Sequence, residues 1–179
     1  MKLFLILSIF FLLSCSGNKT VKEREVGFFK VRKGTSWIYR ATLLGEKRDL
    51  EIKITEKNDK FLTDNKGQKY IKDEKGYKNG FFYLIKYPLK KGNTWIIKSK
   101  EQIKVATIED TAYTFNFEGE KIKNCLKISY INALEDSSRN IVIRYFCPGL
   151  WLVKMETYYE SPEGIATKQS DFTLKSFSY

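Results

Sequence analysis

Leu50-Glu51-Ile52-Lys53-Ile54-Thr55 alternates apolar and polar residues without a break. Successive side chains of a strand point to opposite faces, so Leu50, Ile52 and Ile54 share one face while Glu51, Lys53 and Thr55 share the other. The stretch reads as a half-buried antiparallel strand. Just upstream, Trp37 to Leu44 carries β-branched and aromatic residues, and Gly45-Glu46-Lys47 supplies a turn, so the two runs read as a hairpin.

Immediately before that hairpin stands Lys33-Gly34-Thr35-Ser36-Trp37-Ile38, which returns as Lys91-Gly92-Asn93-Thr94-Trp95-Ile96. A looser copy follows at Pro148-Gly149-Leu150-Trp151-Leu152-Val153-Lys154. The three copies hold all three tryptophans of the chain. They read as a strand-opening device: glycine turns the chain, and a tryptophan then starts a strand and plugs one end of the core. The third copy has one residue fewer between Gly149 and Trp151, which would turn that indole to the opposite strand face. Trp151 is therefore the tryptophan expected to leave the structural role.

Working outward, turn residues recur at Asp64-Asn65-Lys66-Gly67, Asp73-Glu74-Lys75-Gly76, Glu135-Asp136-Ser137-Ser138 and Ser161-Pro162-Glu163-Gly164. Between them lie short apolar alternations, from Trp95 to Lys98, Ile103 to Ile108, Tyr113 to Phe117, Leu126 to Tyr130, Ile141 to Phe146, Trp151 to Tyr159 and Phe172 to Phe177. Phe81-Phe82-Tyr83-Leu84-Ile85 is continuously apolar and reads as a strand covered on both faces, ended by Tyr87-Pro88-Leu89. No stretch has the three-to-four-residue apolar period of a long helix. The expected fold is one all-β domain, an antiparallel meander forming a curved sheet, half-barrel, barrel or two-layer sandwich.

The amino terminus has a different character. Lys2 precedes an apolar run from Leu3 to Leu13, which is the form of an export signal. The run is shorter than the about 20 residues that a membrane-spanning helix needs. It ends in Leu12-Leu13-Ser14-Cys15, which resembles the lipobox of bacterial lipoproteins. The resemblance implies cleavage before Cys15, acylation of its thiol and usually of the new amino group, and hence a palmitate-type anchor in the cell envelope. Multiple acyl chains hold firmly, since each buried CH₂ contributes ~0.8 kcal/mol. Ser16 in the second mature position resembles lipoproteins forwarded to the outer membrane in hosts that have two membranes. The expected organisation is a signal peptide over residues 1–14, a lipidated terminus and polar tether over 15–26, and the β-domain over 27–179.

A weaker resemblance covers the second half. Tyr87-Pro88-Leu89-Lys90-Lys91-Gly92-Asn93-Thr94-Trp95, with Tyr145-Phe146-Cys147-Pro148-Gly149-Leu150-Trp151-Leu152-Val153-Lys154, is similar to uncharacterised bacterial envelope lipoproteins. Those pair a Leu-Lys-x-Gly-x-x-Trp strand with a late Tyr-x-x-Pro-Gly-x-Gly-Leu-Val-Lys strand. Trp151 stands where the second glycine is usual. The resemblance implies a curved antiparallel sheet and brings no catalytic residues with it.

The formal charge of +11 would suggest nucleic acid, but export argues against it, and lysines are spread over nearly every strand and turn. Attraction to anionic head groups or glycopolymers, weakened by salt, is the charge-based expectation that survives. The chain has no histidine, which removes the usual base of Ser or Cys nucleophiles and the commonest transition-metal ligand. No cofactor or metal is expected. Glu109-Asp110 and Glu135-Asp136 are adjacent carboxylates assigned to turns, a spacing that builds no two-carboxylate site.

Cys125 and Cys147 remain once Cys15 is lipidated. A hairpin centred on the Glu135–Ser138 turn would bring them nearly opposite, making a disulfide the candidate in an oxidising compartment. A shift of one residue would part them, leaving two small core residues. Aromatic residues are 15% of the chain, and Tyr158-Tyr159 must place rings on both sheet faces. With Trp151, these tyrosines are the candidate ligand or partner surface.

The functional expectation is a non-enzymatic, lipid-anchored envelope protein that binds or scaffolds something at the membrane surface, a protein partner included. The alternatives are a carrier of a hydrophobic ligand in a β-cavity and a carboxylate-dependent envelope hydrolase. A cavity lined by Trp, Phe and Ile would favour the carrier, and converging carboxylates the hydrolase. Replacing Cys15 with Ser is expected to abolish palmitate labelling and release the protein from membranes; persistent labelling would refute the lipid assignment.

Overall fold

The computed structural model describes Phe28 and residues 31–179 apart from Leu44, Lys100 and Glu101. The signal peptide, Cys15 and the tether lie outside the described residues. No helix occurs among those described. Twelve strands follow one another: β1 (Ser36–Leu43), β2 (Glu46–Lys57), β3 (Leu62–Asp64), β4 (Lys69–Asp73), β5 (Gly76–Asn79), β6 (Phe82–Lys86), β7 (Thr94–Lys98), β8 (Ile103–Phe117), β9 (Glu120–Ala133), β10 (Arg139–Cys147), β11 (Trp151–Glu160) and β12 (Ala166–Ser178).

They form one antiparallel sheet in the order β6-β5-β4-β3-β2-β1-β12-β11-β10-β9-β8-β7. Two meanders, β1–β6 and β7–β12, are thus joined where β1 pairs with β12. The sheet curls into a nearly closed, barrel-shaped form, and the missing ladder lies between β6 and β7. Bulges at Ile38/Tyr39, Tyr145/Phe146 and Thr157/Tyr158 add the local bend that such closure needs.

Each meander opens on a Gly-x-x-Trp copy, and the two copies make the same backbone bonds. Gly34 donates to the Ile54 carbonyl at 2.9 Å while Ile54 donates to Thr35 at 2.8 Å; Gly92 donates to Ile108 at 2.8 Å while Ile108 donates to Asn93 at 2.9 Å. Gly34 and Gly92 have φ of 93° and 83°, a region that a side chain would strain. Trp37 and Trp95, three residues on, are both buried. The Trp37 indole donates to the Leu150 carbonyl at 2.7 Å, and the Trp95 indole to the Tyr83 carbonyl at 3.0 Å. The first copy therefore locks onto the third, and the second onto β6.

Two local expectations change. Phe81 does not lie in a strand; it sits in the turn before β6 and is 95% exposed. The neighbours Leu84 and Ile85 are both buried because a bulge opposite Tyr77/Lys78 interrupts the alternation, rather than because the strand is covered on both faces. Glu109-Asp110 belongs to the long strand β8 and not to a turn, again beside a bulge.

Trp95 packs edge-on against Tyr130, with ring centroids 6.5 Å apart. Trp95→Ala is expected to cost about 3–5 kcal/mol in chemical denaturation, the range for deleting a buried aromatic. A loss under about 1 kcal/mol would remove the ring from the core.

Candidate functional site

Alternate residues of the curved sheet point inward, and they line two adjoining cavities, both partly open to solvent. The inner one, about 230 Å³, is walled by Trp37 and Tyr39 of β1, Leu50, Ile52 and Ile54 of β2, and Phe146, Trp151 and Met155 across the barrel. The alternation of β2 supplies one wall outright. The second, about 450 Å³, lies at the β6/β7 seam, between Phe81 and Phe82 on one side and Ile97, Ser99, Gln102 and Lys104 on the other. Its volume is in the range of about 300–1,000 Å³ usual for small-molecule sites. Asn79, Leu84 and Arg144 border both spaces.

Arg144 is the unusual member. It shares its strand face with Val142 and Phe146, which also line the cavities. Its guanidinium carbon stands 5.0 Å from the centre of the Tyr130 ring, a cation–π contact worth about 0.5–2 kcal/mol. Its Nε is buried and meets no hydrogen-bond acceptor among the described residues. Among those residues Arg144 also has no carboxylate within ion-pair distance. The side chain as a whole is half-buried, so the guanidinium keeps some contact with solvent while it has the Tyr130 ring, and no carboxylate of the described residues, against it.

The phenols around this interior are neutral and already engaged. Tyr39 donates to the Leu152 carbonyl at 2.7 Å, and burial pushes its pKa well up. Tyr70 donates to Asp64 at 2.9 Å and is raised by burial and then by that carboxylate. Tyr130 donates to the Leu84 carbonyl; burial pushes it up to about 12 against the opposing pull of Arg144. Asp64 is buried and accepts from the Lys66 and Gln68 amides at 2.8 and 2.9 Å as well as from Tyr70.

Trp151, expected to turn away from the core, points into the same interior as Trp37 and is 8% exposed. Its φ of 64° is the physical reason: the left-handed conformation offsets the missing residue after Gly149 and swings the indole inward. The ring lies 5.4 Å from Tyr77 and 5.1 Å from Phe146. Tyr158 and Tyr159 are half-buried near the far end of β11, pair with Ile141 and Asn140, and line neither cavity. The structure does not bring them together with Trp151.

Cys125 and Cys147 form a disulfide with Sγ–Sγ of 1.99 Å, linking β9 to β10. The pair Leu126↔Phe146 sets the register, which places the cysteines directly opposite one another. Sequence reasoning passed over Arg144. The signal was available: within Ile141-Val142-Ile143-Arg144-Tyr145-Phe146, a charge occupies the same face as two apolar neighbours.

A different polar cluster occupies the other face of the sheet. Glu156, 7% exposed, accepts from Tyr145 at 2.9 Å and pairs with Lys168 at 2.9 Å and Lys154 at 3.1 Å. Burial works to raise its pKa, but the bonds from Lys168, Tyr145 and Lys154 outweigh it and hold the carboxyl at about 2. Among the described residues no group of metal-ligating side chains occurs, and none of those lining either cavity is a carboxylate.

No family model matches the chain, and no curated protein does. Among solved structures, it is similar to the crystal structure of a "putative lipoprotein" from Parabacteroides distasonis ATCC 8503. The match has 15% identity and a TM-score of 0.52 and covers 84% of this chain and 98% of the other. At that identity the likeness is one of fold.

Glu156 supplies a pH prediction. A carboxyl held at about 2, against an ordinary 4.5, contributes stability above pH 4.5 that is lost as pH falls towards 2. Glu156→Gln is expected to lose about 1–2 kcal/mol at pH 7, with the gap to wild type closing across that window in urea titrations. A pH-independent gap would show that the charge is not what matters.

Proposed function

We propose that this protein is a lipid-anchored lipoprotein of the bacterial cell envelope whose β-domain holds a hydrophobic ligand and performs no chemistry on it. The observation that carries the ligand reading is the aromatic and aliphatic cavity lined by the inner face of the sheet, adjoining a wider space at the β6/β7 break. Concave, mainly apolar spaces with a few placed polar groups are the usual form of small-molecule sites. A scaffold would need only a filled core, and a hydrolase would need carboxylates at the cavity.

The envelope reading rests on Leu12-Leu13-Ser14-Cys15 after the apolar run, and it is supported by the fold likeness to the "putative lipoprotein" structure. Acyl chains on Cys15 would keep the barrel beside a source of apolar ligands, and the domain's positive charge would favour anionic surfaces. In a host with two membranes, Ser16 favours the outer one.

Trp37 and Trp151 both line the inner cavity, so they report on its contents. The full-length protein, solubilised in digitonin and stripped of bound lipid, is expected to take up the neutral probe N-phenyl-1-naphthylamine with energy transfer from tryptophan. Native mass spectrometry of the unstripped protein should show a bound lipid mass. Absence of both would overturn the ligand reading.

A further inference from the structure

The chemistry around Arg144 says what kind of hydrophobic ligand the barrel would take. Building on the ligand reading above, we propose that the ligand is a single-chain amphiphile with an anionic head. Its chain would occupy the inner cavity, and its head would sit on the Arg144 guanidinium in the seam cavity.

Polarity divides the two spaces along the length of such a molecule. The inner cavity is lined chiefly by aromatic and aliphatic side chains, and its Tyr39 and Tyr70 hydroxyls already donate to Leu152 and Asp64. The seam cavity instead carries the amides of Gln68, Asn79 and Gln102, the Ser99 hydroxyl and the Lys104 ammonium. These groups and Arg144 can donate several hydrogen bonds, and no carboxylate stands among the described residues that line this space. Arg144 borders both spaces, where the head of an amphiphile would have to lie.

Beyond its contacts with the Tyr130 ring and hydroxyl, the guanidinium still has a donor left over. Its Nε is buried without a protein acceptor, and Asp64, the buried carboxylate on the far side of Tyr70, is occupied by two backbone amides and the Tyr70 hydroxyl. A planar guanidinium suits a carboxylate or phosphate, which it can bind through paired N–H groups. A neutral ligand filling the two spaces would strip solvent from this half-buried charge without supplying a counter-charge, whereas an anionic head would supply one. Phe81, exposed at the turn before β6, and Lys104 across the seam border the way in.

The test uses the full-length protein in digitonin loaded with N-phenyl-1-naphthylamine, with laurate, dodecyl phosphate and dodecanol as competitors of equal chain length. At least one anion is expected to displace the probe ten times more effectively than the alcohol, and the better one identifies the head as carboxylate or phosphate. Arg144→Met is expected to abolish that preference, so that within the variant the anions compete no better than dodecanol. If the variant does not fold, the wild-type ratio of anion to alcohol still decides. An alcohol that competes as well as both anions, a preference that survives in Arg144→Met, or anions that do not compete would overturn the proposal while the ligand reading stands. A probe that never binds would overturn both.

Discussion

A sheet bent round on itself has two edges, and their unpaired backbone groups must be satisfied or left to water. Here the edges are β6 and β7, and side chains take the place of a ladder. The Trp95 indole donates to the Tyr83 carbonyl, the Tyr130 hydroxyl to Leu84, and the Asn93 amide to Lys86 and Pro88, both at 3.0 Å. Such bonds close the barrel without zipping it. The seam cavity follows from this arrangement, since a complete β6/β7 ladder would bring the strands about 4.8 Å apart and remove the space between them.

Closure also explains why the interior holds a charge. Strand alternation sends every second residue inward regardless of its chemistry, and at Arg144 that residue is a guanidinium flanked by Val142 and Phe146. The side chain is half-buried at the border of the seam, with the Tyr130 ring against it and no counter-charge among the described residues. The contrast with Glu156, on the opposite face, is instructive. That carboxylate has two lysines and a tyrosine around it, so its charge is answered within the protein. Arg144 has no carboxylate partner among the described residues, which leaves it available to an anion from outside.

Much of the fold was legible from residues. The strict alternation of Leu50–Thr55 became one wall of the inner cavity, and the repeated Gly-x-x-Trp stretches became the openings of the two meanders. Both are local codes: a period of two and a glycine with positive φ are set by neighbours in the chain. The misreadings share a cause. At Phe81–Ile85, Glu109-Asp110 and Trp151 the backbone departs from regular strand geometry through a turn, a bulge or a left-handed residue. A single inserted residue then reverses which face every later side chain meets.

By itself, the sequence determined the all-β character of the domain, the places where its strands begin, the exclusion of histidine chemistry and the resemblance of the amino terminus to a lipoprotein signal. These depend on composition and on contacts within a few residues. Only the tertiary structure decided that the meander curls into one barrel broken at β6/β7, that Trp37 and Trp151 face a common cavity, and that Arg144 stands at the border between that cavity and the seam. The strands responsible lie far apart in the chain, as the 113-residue span of the Trp37–Leu150 bond illustrates. Their meeting is fixed by closure and bulge register, which no local pattern encodes.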